Sequence, residues 1–126
     1  MPFAFSQSDL PSGPCLWIDA KDRVELADGQ ALEQQLKHDQ DTLPKVLATI
    51  APGTTYSAEV RRFFPKMNSN VSAMALVIES AITRVTVNMI LRLTDTKVLG
   101  PTRMFTDEDE ARAWLDGQAY VDRHPR

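Results

Sequence analysis

Apolar residues fall along this chain in two rhythms, short unbroken runs and runs spaced three and four apart, and the two alternate. "CLWID" (15–19), "KVLATI" (45–50) and "VSAMALVIE" (71–79) are unbroken and bounded by Pro, Gly or polar clusters, the pattern of buried strands. "TRMF" (102–105), just past Gly100 and Pro101, reads as a further short strand. Between them, the segment from Ala27 sets Ala31, Leu32 and Leu36 on one side of a helix, with Asp28 as its expected N-cap. "AEVRRFFPKM" brings Val60, Phe63 and Phe64 together behind a Ser57 cap, and Pro65 limits its length. Thr106 is expected to cap "DEDEARAWLDG", which closes at Gly117.

Strands alternating with helices in this way predict one α/β domain over residues 1–126, a single-layer mixed or mostly parallel sheet of 4–5 strands with about four helices packed on it. "PFAFSQSDLPSGP" alternates only briefly before Pro11, Gly13 and Pro14, so the N-terminal arm, residues 1–14, is expected to be a short strand or a loose segment followed by a turn, and residues 118–126 a C-terminal tail.

The stretch "ESAITRVTVNMILRLTDTK" (79–97) is helical in period but apolar on too many sides. At about 100° per residue, Ile82, Val85, Met89, Ile90 and Leu93 make one broad face able to dock on a sheet. Val87 and Leu91 lie off that face, beside a polar line of Ser80, Arg84, Asn88 and Arg92. Either another part of the chain covers them or a partner does. The expectation is a homodimer, its interface formed by Arg84, Val87, Asn88, Leu91 and Arg92, with an apolar centre and an arginine rim.

Composition narrows the chemistry. Apolar residues at 43% and charged residues at 25% are ordinary for a globular domain. A net charge of −3 disfavours nucleic-acid binding, which needs clustered cations, and no apolar run is long enough for membrane insertion. Cys15 is the only cysteine, so neither an intrachain disulfide nor a cysteine-based zinc site is expected, and a reducing cytoplasm is the natural setting. With only apolar neighbours after it, Cys15 reads as a small buried hydrophobe. The acids Asp107 to Glu110 stand where a helix begins and complement its dipole, so no metal is assigned to them. His38 and His124 stand beside no candidate nucleophile, Ser12 and Ser57 lie in no nucleophile elbow, and the glycines are too dispersed for a phosphate loop. No cofactor and no catalytic residue is assigned. Convergence of Arg84, Asn88 and Arg103 in one concave pocket would argue for an enzyme.

The run "VSAMALVIESAITRVTVNMILRL" followed by "GPTRMFTDEDEARAWL" resembles small actinobacterial proteins of the SpoIIAA-like (STAS-like) group. The resemblance covers the C-terminal two thirds of the chain and is carried by Ser80, Arg84, Asn88, Pro101, Thr102, Arg103, Phe105, Thr106, Ala111, Trp114 and Leu115. It implies a sheet with helices to one or both sides and no known catalysis. It also implies a regulatory protein-interaction module, because STAS proteins act in partner switching through a phosphorylatable serine. In this chain the corresponding stretch is "GTTYSAE", where Ser57, or else Thr54 or Thr55, would be the phosphoacceptor. Some SpoIIAA-like proteins share their fold with lipid-transfer domains, which implies an alternative: a carrier of a small apolar or lipid-like ligand, with Trp17, Phe63 and Phe64 bordering an apolar pocket.

Overall fold

The unbroken apolar runs become strands that pair almost in chain order. The computed structural model describes residues 3–36, 42–64, 71–92 and 101–121. Its elements are β1 (Phe3–Leu10), β2 (Gly13–Ala20), β3 (Arg23–Val24), α1 (Leu26–Leu36), β4 (Lys45–Ile50), β5 (Thr55–Tyr56), α2 (Ala58–Phe63), β6 (Ala73–Ile78), α3 (Ala81–Arg92), β7 (Thr102–Phe105) and α4 (Glu108–Asp116). The main sheet has five strands in the order β1-β2-β4-β6-β7, antiparallel at β1 and parallel elsewhere, and β3 and β5 form a small parallel pair beside it.

From β2 onward each strand is laid beside the previous one in a single direction. Right-handed crossovers then put every connecting helix on the same face. Leu32 and Leu36 of α1, Val60 of α2 and Val87 of α3 accordingly pack with Ile18, Val46, Ala48 and Leu76, the residues that alternation points to that side. The reverse face belongs to α4. Ala111 and Leu115 pack against Leu47, Ala73, Ala75 and Val77, and the alanines on both sides let helix and sheet approach closely. Cys15 is buried in this second cluster, where burial pushes its thiol above the ordinary range.

Of the two readings of the N-terminal segment, the strand followed by a turn is the one observed. Phe3 to Leu10 pair without interruption to Ala20 through Gly13, forming a hairpin. Cover on this edge strand is confined to its two ends, Phe3 and Phe5 meeting the core under α1 to α3 and Leu10 meeting the cluster under α4, while Ser6 and Gln7 between them stay exposed, one on each face. The turn depends on Gly13, at φ 146°, where a Cβ would stand 2.9 Å from the Tyr120 hydroxyl. The C-terminal segment is not free as far as Val121: its amide donates to Ser72 Oγ (2.8 Å), its carbonyl accepts from the Leu43 amide (2.7 Å), and Tyr120 Oη donates to the Pro14 carbonyl (2.7 Å). His38, Leu93 and His124 lie outside the described residues.

Two caps differ from expectation by local geometry. Asp28 sits inside α1, where its carboxylate accepts the Glu25 amide (2.8 Å) from the third helical position, half of a capping box. The cap of α4 is Asp107, whose carboxylate accepts the Asp109 amide, so the helix starts one residue later than a Thr106 cap would place it.

Candidate functional site

Helix α3 is the element whose placement differs most from the periodicity reading. Ser80 caps it, its hydroxyl accepting the Thr83 amide at 3.3 Å. The side turned to the sheet is formed by Thr83, Val87 and Ile90, all buried. Ile82, Val85 and Met89, read as the docking face, are 81%, 62% and 59% exposed. Val87 is therefore covered from within the chain at 6% exposure and is no interface residue, whereas the Leu91 side chain lies outside the described residues. Both arcs of this helix are hydrophobic enough to dock. The sheet takes the arc with the compact β-branched residues, and the broader stripe faces outward. Arg84 and Asn88 lie half-buried on the flank and Arg92 is exposed. Arg84 Nε is buried with no hydrogen-bond partner among the described residues.

Behind α3 the sheet is not packed solid. A cavity of about 110 Å³ lies between the sheet and the helices, bordered by Ala48, Met74 and Leu76 below, Val87 and Ile90 above, and Phe64 at one side. Its lining is hydrocarbon, thioether and aromatic throughout. Tyr56 contributes its ring, and burial pushes its phenol up to about 12.

The expected aromatic pocket is only partly assembled. Phe64 borders the cavity and Phe63 packs beside the same core, but Trp17 is on the opposite face of the sheet. There the Arg112 guanidinium lies 4.4 Å from the Trp17 ring centre, and the indole donates to Asp19 (3.1 Å), which also accepts from Thr49 Oγ1. Alternation explains the misplacement: Trp17 and Ile18 are neighbours in sequence and must point opposite ways. The same geometry separates the three residues whose convergence would have argued for an enzyme. Arg103 packs over the Phe105 ring on the α4 side, while Arg84 and Asn88 ride on α3 across the sheet.

Ser57 is the N-cap of α2, accepting the Val60 amide at 3.2 Å, and is 1% exposed. Phosphorylation there would require this segment to open. Thr54 is buried as well, its hydroxyl donating to the Ala51 carbonyl at 2.6 Å. Thr55 is exposed on β5. Among the described residues, no three His, Cys, Asp or Glu side chains gather as a metal would need, and no helix is long and apolar enough to cross a membrane.

One polar cluster went unforeseen. Lys45, at the start of the central strand β4, is 0% exposed although it lies just beneath the surface. Its amine donates to Ser12 Oγ (3.0 Å) and the Asp116 carbonyl (3.3 Å), and rests 4.3 Å from the centre of the Tyr120 ring. Burial pulls its pKa down, and the Asp116 carboxylate partly offsets that. Hydrogen bonds from the Ser12 hydroxyl and amide hold the Asp116 carboxyl below its usual range. A Lys beside a Ser hydroxyl suggests an acyl-transfer dyad, but here the amine is held by two oxygens and a ring, as an ammonium would be. The cluster ties the β1–β2 turn, β4 and the end of α4 together. The sequence cue was a lysine opening an otherwise apolar buried run.

A five-stranded, mostly parallel sheet with its helices divided three to one across the faces is a SpoIIAA-like architecture. The chain is similar in structure to an uncharacterised protein of the DUF3478 family with a SpoIIAA-like fold from Shewanella loihica PV-4. The TM-score is 0.63 at 14% identity, over 90% of this chain and 93% of that one. The fold expected from the resemblance is thus the observed one. In sequence, residues 19–119 match the model of a domain of unknown function, DUF7793, and the chain belongs to that family. No curated protein matches it.

Proposed function

We propose that this chain is a non-enzymatic binding module, working in the cytoplasm, whose contact element is the outward side of α3. One observation carries the reading: Ile82, Val85 and Met89 stand exposed together on a helix whose other side is already docked. Each exposed side chain of this kind forgoes roughly 1.5–3 kcal/mol of burial, which a protein surface laid on α3 would recover. A photo-activatable residue at Val85 should give a covalent adduct with a protein in the source cell, while the same residue at exposed Gln7 on β1 should not. Equal labelling at the two positions, or none at Val85, would sink the reading.

The cavity supports a second reading, binding of a small apolar ligand beneath α3. Dry cavities of about 150 Å³ lined by Leu, Ile and Phe take up benzene or xenon, and this one is of comparable size and lining. Native mass spectrometry or xenon-induced chemical-shift changes should detect occupancy at Ala48 and Leu76, and an Ala48→Leu variant, which fills the space, should abolish it. Occupancy unchanged by Ala48→Leu would place the ligand elsewhere.

A further inference from the structure

We propose that the occupant of the α3 outward face is a second copy of this chain, seated antiparallel across a two-fold axis. The inference rests on α3 being the contact element and adds the identity and orientation of the partner. Along and just before the helix the outward positions run Glu79, Ile82, Val85, Thr86, Met89, Arg92. Their spacing is symmetric about the point midway between Val85 and Thr86. Ile82 and Met89 are equidistant from it, as are Glu79 and Arg92, and Ile82 to Met89 spans about 10 Å of helix.

A two-fold axis through that midpoint sets Ile82 against the partner's Met89, Val85 against the partner's Thr86, and exposed Glu79 against the partner's exposed Arg92. Each contact occurs twice. A parallel arrangement would oppose Glu79 to Glu79 and Arg92 to Arg92, and like charges reject it. Neither Glu79 nor Arg92 has an ion-pair partner among the described residues, so both are available. Half-buried Arg84 and Asn88 lie round the helix from the stripe and take no part in the contact. With three apolar side chains from each copy, the contact is small, which fits a reversible dimer rather than an obligate one. An anionic membrane is a poorer match for a stripe that ends in an acid, on a chain of net charge −3.

Sedimentation velocity from low micromolar to submillimolar concentration tests this. The unmodified chain should approach twice its monomer mass as concentration rises. Glu79→Arg and Arg92→Glu should each weaken association by about tenfold, and the two combined should restore it, because the pairing is only exchanged. Ile82→Glu with Met89→Glu should leave a folded monomer by circular dichroism. A dimer indifferent to the charge swaps, or a double swap that fails to restore it, overturns the antiparallel pairing. An unmodified chain that stays monomeric while Val85 still crosslinks to a different protein overturns the second copy but leaves α3 as the contact element. A monomer without any Val85 adduct removes both.

Discussion

Replacing Lys45 with alanine is expected to lower the free energy of unfolding by about 2.5 kcal/mol, since Cγ, Cδ and Cε are lost from a fully buried side chain, about three methylenes at about 0.8 kcal/mol each. The lost hydrogen bonds to Ser12 and Asp116 add less, because both partners lie near water and can be rehydrated. Lys45→Met keeps most of the stem and sheds the cost of burying a cation, so it should recover all but about 1 kcal/mol. Urea denaturation distinguishes the two. Hydrogen exchange should also show faster exchange of the Val121 amide in the alanine variant, since the Tyr120 ring would lose its cation. Equal destabilisation by Ala and Met would mean that the charge, and not the stem, holds the cluster.

A comparable loss is expected for Leu115→Ala, in the range of about 2–5 kcal/mol for a buried leucine. Leu115 is fully buried, and α4 is the helix that covers Leu47, Ala73, Ala75 and Val77. The site has little means of collapse, because Ala111 and the sheet alanines are already small. Thermal unfolding should shift down by many degrees, and binding of a hydrophobic dye should rise before the main transition as the reverse face is uncovered. Ala113→Ser, on the exposed side of the same helix, should change neither. A Leu115→Ala protein with unchanged melting would show that α4 is not anchored where the packing places it.

The strands were legible because runs such as "KVLATI" and "AMALVI" are buried on both faces and tolerate almost no polar residue. The exception is informative: β1 is covered only at its ends, by Phe3 and Phe5 on one face and Leu10 on the other, so its apolar signal is sparse and its sequence reads equally as a short strand or an arm. Ser57 was identifiable as a cap because the reason for a serine there is local. The orientation of α3 was not, since a helix with two hydrophobic arcs is underdetermined until the shape of the sheet beneath it chooses between them. Trp17 and Phe63 share a composition but not a side of the sheet, and only strand alternation across the hairpin separates them. The Lys45 cluster joins positions 12, 45, 116 and 120, distances along the chain that no local pattern encodes.

The division of helices between the two faces bears on synthesis. A chain emerging N-terminus first can lay down β2, β4 and β6 in order, each with its crossover helix already in hand to shield the near face. The reverse face has no such protection, because its cover is the final helix. Until residue 116 has left the ribosome, Leu47, Ala73, Ala75 and Val77 are a bare apolar strip on a nearly finished sheet. A chain cut off between β7 and α4 and released from the ribosome is therefore expected to be the form of this protein most exposed to chaperones and to aggregation.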